Sequence, residues 1–197
     1  KPVTRYWDRI AHPAQIIQSL PAAVATLLDP ANCGPVLISL PQDVQGLVYD
    51  YPEALFEERV HRIRRPEADS RSIDEAIALL KKAERPLILA GGGVHYSKAN
   101  ERLADFAVRH RIPVVETIAG RASLLQSHPC NAGPVGVTGS DSANALAHDC
   151  DLLLAVGTRL QDLTTGSWSL FRHPDLAMVS LNVAPTDAYK HRALAVV

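Results

Sequence analysis

Pro86-Leu87-Ile88-Leu89-Ala90-Gly91-Gly92-Gly93 decides the fold. Five residues without a charge suit a strand buried on both faces, as strands of a parallel sheet are. Three glycines then let the backbone turn sharply and approach a neighbour or a ligand closely, and a helical pattern follows. The stretch reads as the front end of a nucleotide-type α/β domain.

The pattern repeats outward from there. Upstream, Ser72-x-x-Glu75 has the form of a capping box, with Ile73, Ala76, Ile77 and Leu80 on one helical face. Downstream, a helix is expected near 97–110 with Ala99, Leu103, Phe106 and Ala107 inward, then a strand at Pro113–Thr117. A long Gly-containing loop leads to a helix near 140–149 carrying Ala143, Leu146 and Ala147, followed by apolar strands at 151–157, 178–183 and 193–197. Strands alternating with helices predict a doubly wound α/β domain, a parallel sheet with right-handed crossovers, over 72–197. Before it, residues 13–28 carry a helical pattern that Pro21 is expected to kink or divide, and Pro35–Leu40 reads as a short buried strand. The expected organisation is 1–45 as the end of a preceding domain, a charged linker over 46–71 whose basic cluster is a solvated face, and the domain at 72–197.

The bulk numbers exclude several classes. The chain has 197 residues, 47% of them hydrophobic and 21% charged, with a net charge of −1. Such a balance offers no electrostatic ground for a nucleic-acid or anionic-membrane partner. No apolar run is long enough to span a bilayer. Cys33, Cys130 and Cys150 are odd in number and widely spaced, which reads as reduced thiols and a cytoplasmic location. The chain opens on Lys1, its one methionine is Met178, and it closes on Ala195-Val196-Val197 inside a strand pattern; the expectation is an excised part of a larger protein.

In doubly wound sheets ligands sit beyond the carboxyl ends of the strands. Three such ends carry glycine: Gly91-Gly92-Gly93, Gly157-Thr158-Arg159, and the spaced Gly133, Gly136 and Gly139. Backbone N–H groups there suit phosphate oxygens, and Arg159 adds a guanidinium. The dinucleotide fingerprint is incomplete, because Tyr96 stands at the third glycine position; Glu116 lies near the distance expected of a ribose-binding acid. Tight strand-to-helix turns explain the same glycines. The eight histidines show no metal-ligand spacing, and His95 reads as a loop histidine beside the glycines. Asp141 and Asp149 read as helix-end charges, Ser167 lacks an evident base, and Trp168 and Phe171 read as packing residues. No catalytic residue and no metal ligand is assigned.

Several stretches resemble thiamine-diphosphate enzymes. Asp29 through Gln45 is similar to the end of their pyrimidine-binding domain. The glycine loop at 91–93, Glu116-Thr117 with Ala119-Gly120-Arg121, and Val156-Gly157-Thr158-Arg159-Leu160 resemble their Rossmann-like central domain. Arg5 through Ile10, Ala90 through Ser97, Thr164-Thr165-Gly166-Ser167, Asn182-Val183 and Asp187-Ala188-Tyr189-Lys190-His191 resemble the branch that hydrolyses a ring C–C bond of a cyclic diketone in inositol catabolism. The resemblance implies a homo-oligomeric parent enzyme that binds thiamine diphosphate and magnesium outside this segment. In such parents a glutamate in the first domain activates the coenzyme, and a Gly-Asp-Gly…Asn motif in the third holds magnesium and diphosphate. This chain has no Gly-Asp-Gly, so the segment alone is expected to be inactive and its partners are the pyrimidine- and diphosphate-binding domains of the same chain.

Flavin-binding relatives such as acetolactate synthase hold FAD across the glycine loop, and the likeness places Gly91, Gly92, Gly93, Gly157, Thr158 and Arg159 on cofactor-contact positions. Gln161, Leu163 and Asn182 replace an aspartate, an arginine and an acid of those relatives, so tight flavin binding is not expected. Two other readings are an acetolactate-synthase-like carboligase or decarboxylase of 2-keto acids, and a nucleotide-binding regulatory module.

Overall fold

The computed structural model describes residues 2–197, so Lys1 lies outside it. The chain forms two compact units, one ending at Arg65 and one spanning Pro66–Val197.

In the first unit, strands β1 (Tyr6–Arg9) and β2 (Val36–Ser39) pair in parallel with Tyr6 opposite Val36 and Arg9 opposite Ser39. A 3-10 turn (Pro13–Gln15) and the helix Ile16–Leu28 connect them. Pro21 sits inside that helix, which runs through it undivided. It lacks the N–H that would reach the carbonyl of Ile17, and the helix tolerates one missing bond. β2 is not buried as expected. Asp8 accepts from Ser19 Oγ of the helix, so by alternation its neighbour Trp7 and the paired Leu37 face the other side, where Leu37 is 43% exposed.

The second unit is an all-parallel sheet of six strands: β3 (Pro86–Ala90), β4 (Val114–Glu116), β5 (Asn131–Pro134), β6 (Leu152–Val156), β7 (Ala177–Leu181) and β8 (Leu194–Val196). Their order across the sheet is β5-β4-β3-β6-β7-β8, the doubly wound order, with β3 and β6 at the place where the winding reverses. Along β3, Leu87 and Leu89 point into one apolar layer with Val115, Leu153, Ala143 and Ala147. Ile88 and Ala90 point into the opposite layer with Val114, Leu103 and Ala107. Helix Asp141–Asp149 therefore covers one face and helix Asn100–His110 the other, which is why β3 carries no charge.

Helix Ser70–Lys82 joins the sheet through Ala76, Val179 and Val196. Its cap is Asp69, whose carboxylate accepts from Ser72 N at 2.9 Å, so the expected Ser72–Glu75 box lies one turn too late. Glu75 pairs with Arg71 instead, and Ile73 and Ile77 are exposed rather than inward. Leu146 is likewise exposed, at 38%, while Ala143 and Ala147 do the packing. Among the described residues no helix is long and apolar enough to cross a membrane.

Candidate functional site

The switch point between β3 and β6 brings Gly91-Gly92-Gly93 together with Gly157-Thr158-Arg159. The two loops touch backbone to backbone. Gly91 N donates to Val156 O at 2.8 Å, and Gly93 N donates to Gly157 O at 2.9 Å. A Cβ on Gly91 would stand 2.4 Å from Gly157 O, and one on Gly157 would stand 2.6 Å from Gly93 Cα. Gly157 also has φ +60, which disfavours any side chain there. Val94, His95 and Tyr96 donate their N–H groups back to the carbonyls of Gly91 and Gly92, within a helix of a single turn (Gly93–Tyr96). The N–H groups of Gly91, Gly93, Val94, His95 and Tyr96 are thus engaged inside the fold.

Neighbouring side chains fasten this ridge. Glu116 ends β4 only 2% exposed, and its carboxylate accepts from Leu124 N at 3.0 Å and Ala122 N at 3.2 Å. The acid expected near a ribose instead shapes the loop after β4. His95 Nε2 lies 2.9 Å from Arg121 O and Nδ1 lies 3.2 Å from Asn100 Nδ2. A carbonyl only accepts, so Nε2 carries the hydrogen and Nδ1 accepts from the amide. Asn100 Nδ2 also donates to Ser123 O at 3.0 Å. Thr158 is buried; its Oγ1 accepts from Leu160 N at 3.3 Å, and its carbonyl accepts from Asn182 Nδ2 at 2.9 Å. That last bond needs an amide N–H, which gives Asn182 a structural reason to differ from an acid. Arg159, Gln161 and Leu163 are exposed. Sequence reasoning missed Asn100 and the donor role of Asn182; a polar residue opening a helix and one set just past the end of β7 were the available signals.

The remaining candidates stay apart. Gly136, with φ +108, is held on both sides by the Asn144 amide at 3.0 Å, so the 133–139 loop serves its own turn. Asp141 and Asp149 lie at opposite ends of one helix. Ser167 Oγ donates to Asp162 at 3.1 Å and meets no histidine. Trp168 packs on Phe171 and against His191, with centroids 5.8 and 3.9 Å away. Burial, with the charge of Lys190 adding to it, pulls the His191 imidazole below its ordinary value. In the first unit Asp8 accepts from Ser19 Oγ, from Gln15 Nε2 at 3.0 Å and from Arg9 N at 2.8 Å. The Ser19 and Gln15 bonds hold its carboxyl below the usual carboxylate range. Among the described residues no group of three His, Cys, Asp or Glu side chains is placed to hold a metal ion.

Residues 73–197 match the family described as thiamine pyrophosphate enzyme, central domain. The chain is 48% identical to a 3D-(3,5/4)-trihydroxycyclohexane-1,2-dione hydrolase of Clostridium perfringens over 184 residues, covering 93% of this chain and 29% of that protein. It is 45% identical to the hydrolase of the same name from Clostridium tetani, over 100% of this chain and 31% of that protein. A Bacillus cereus hydrolase of that name is 42% identical, over 99% of this chain and 30% of that protein. The chain thus spans less than a third of the length of these relatives.

Proposed function

We infer the function from the premise that this chain belongs to the thiamine pyrophosphate enzyme family, whose central domain it carries over residues 73–197. It serves as the scaffold portion of a thiamine-diphosphate-dependent hydrolase that opens the ring of trihydroxycyclohexane-1,2-dione, in inositol catabolism. The observation that carries this reading is 48% identity, across 93% of the chain, to a relative bearing that name. The whole enzyme is cytoplasmic and homo-oligomeric, and it takes a small cyclic diketone as substrate.

The coenzyme and magnesium are held outside this stretch, in the pyrimidine- and diphosphate-binding domains of the same chain. Two features support this: the chain spans only 29% of a relative bearing that name, and the N–H groups of Gly91, Gly93 and Gly157 are already paired with neighbouring backbone carbonyls. The chain's contribution is to hold its neighbours in register, with no chemical step of its own. Gly91, Gly92, Gly93, Gly157, Thr158 and Arg159 mark the flavin-contact positions of other family members, and here they form a ridge that does not grip FAD.

The test compares the complete gene product with the 197-residue chain, each supplied with thiamine diphosphate and magnesium. The complete protein is expected to consume the cyclic dione and the chain alone to be inert. Turnover of pyruvate with none of the dione would move the reading to a 2-keto-acid carboligase. FAD, NAD and ADP are expected to leave the melting temperature of the chain unchanged; a micromolar-range shift would restore the nucleotide-binding module.

A further inference from the structure

Eight residues other than glycine have positive φ, and four of them have local explanations. Arg111 follows the last turn of a helix. Lys98 links two helices, Ala122 is held by Glu116, and Leu160 by Thr158. The other four form two consecutive pairs. Ser167 and Trp168, at φ +51 and +64, continue from Gly166 at +55, so three successive residues wind left-handed. His191 and Arg192 are both at +59. Side chains disfavour this region, and runs of such residues are rarer than single ones.

The pairs come from different connections, one after β6 and one between β7 and β8, yet they meet. The Trp168 and His191 rings lie 3.9 Å apart, centroid to centroid, tilted by 47°. Each turn is braced internally: Ser167 on Asp162, Lys190 on Asp187, and Ala193 N on Lys190 O. Between segments 161–170 and 185–192, however, no hydrogen bond or ion pair runs among the described residues, and the Trp168–His191 ring contact joins them. His191 is exposed and Trp168 half-buried, packed on Phe171 at the edge of the core. The contact can therefore open without unpacking the sheet.

We propose that the Trp168–His191 stack is a latch that holds two strained left-handed turns together, one in the connection after β6 and one leading into β8, with an open state in which the exposed segment 189–192 relaxes and the indole is uncovered. Strain drives opening and the stack opposes it. The element is two-state by construction, because a left-handed residue has no continuous low-energy route to its right-handed form. The inference does not depend on the proposed reaction.

The 197-residue chain suffices for the test, in a Trp7→Phe background that leaves Trp168 as the single indole. His191→Ala keeps most of the strain and removes the stack. It is expected to red-shift Trp168 emission and to speed amide exchange roughly tenfold in 164–170 and 187–193, leaving β3 and β6 protected. His191→Phe restores a ring and should return both signals toward the parent. Arg192→Gly relieves strain while keeping the stack, and should raise the melting temperature by roughly 2–4 °C with unchanged emission. Unaltered emission and exchange in His191→Ala, or a lower melting temperature in Arg192→Gly, would overturn the latch.

Discussion

Cys150 shows how position sets the chemistry of a single residue. It caps the helix Asp141–Asp149 and is 2% exposed, with its Sγ donating to Ala147 O at 3.3 Å. Burial, helped by the charge of Asp151, pushes the thiol up to about 12. Because the thiolate is the nucleophile, Cys150 is inert at neutral pH. Cys33 is exposed and Cys130 half-buried. Maleimide at pH 7 is expected to modify Cys33 first and to reach Cys150 only once denaturant unfolds the second unit; rapid native labelling of Cys150, read by peptide mass, would refute the assignment. The sign with pH follows. The folded value lies above the unfolded one, so the thiol's contribution to stability is complete below the unfolded value and is lost as pH rises toward about 12.

At the scale of elements the glycine loop and its partner behave as one piece. In the Gly91-Gly92-Gly93 run the positions differ in what a methyl group would meet. Gly92 has a helical φ of −58 and its nearest obstacle is at 3.3 Å, whereas Gly91 and Gly93 face backbone at 2.4 and 2.6 Å. Gly157→Ala combines a left-handed φ with a 2.6 Å backbone approach, and its expected cost is on the order of 3 kcal/mol. Gly92→Ala should cost under about 1 kcal/mol. Urea melts of the two variants check this, and equal midpoints would remove the closure argument. The same elements show what was legible beforehand. β3 and β6 stood out because burial on both faces leaves an unbroken apolar run. β5 did not, since Asn131-Ala132-Gly133-Pro134 contains no strand former and pairs only along the edge of β4. β1 escaped notice because Asp8 and Arg9 break its apolar pattern, and Asp8 has its partners in a helix. At the site, the glycines were readable as turn residues. The partners of Glu116 and Asn182 were not, because each lies across a loop whose path depends on the sheet order.

The whole molecule follows from where the apolar layers stop. The second unit covers both faces of its sheet with its own helices, so its core is complete within Pro66–Val197. Between the units, residues 58–69 form no helix or strand and are almost all exposed. Backbone of this kind, without a ladder or a helix to protect it, is where proteases cut first. Trypsin has targets there at Arg59, Arg62 and Arg64, while Pro66 shields the bond after Arg65. Its next sites, Arg71, Lys81 and Lys82, lie within the helix Ser70–Lys82, anchored to β7 and β8 through Ala76. Brief digestion is therefore expected to leave a product running from Arg65 to Val197 that retains the circular dichroism of an α/β fold. The acid-side behaviour of the first unit is separable in the same preparation. Asp8 is held low by Ser19 and Gln15, so its support for the helix persists above the unfolded carboxylate value and is lost as pH falls through the folded one. If trypsin instead entered first at Lys81 or Lys82, the second unit would not be the self-sufficient scaffold that its two closed layers describe.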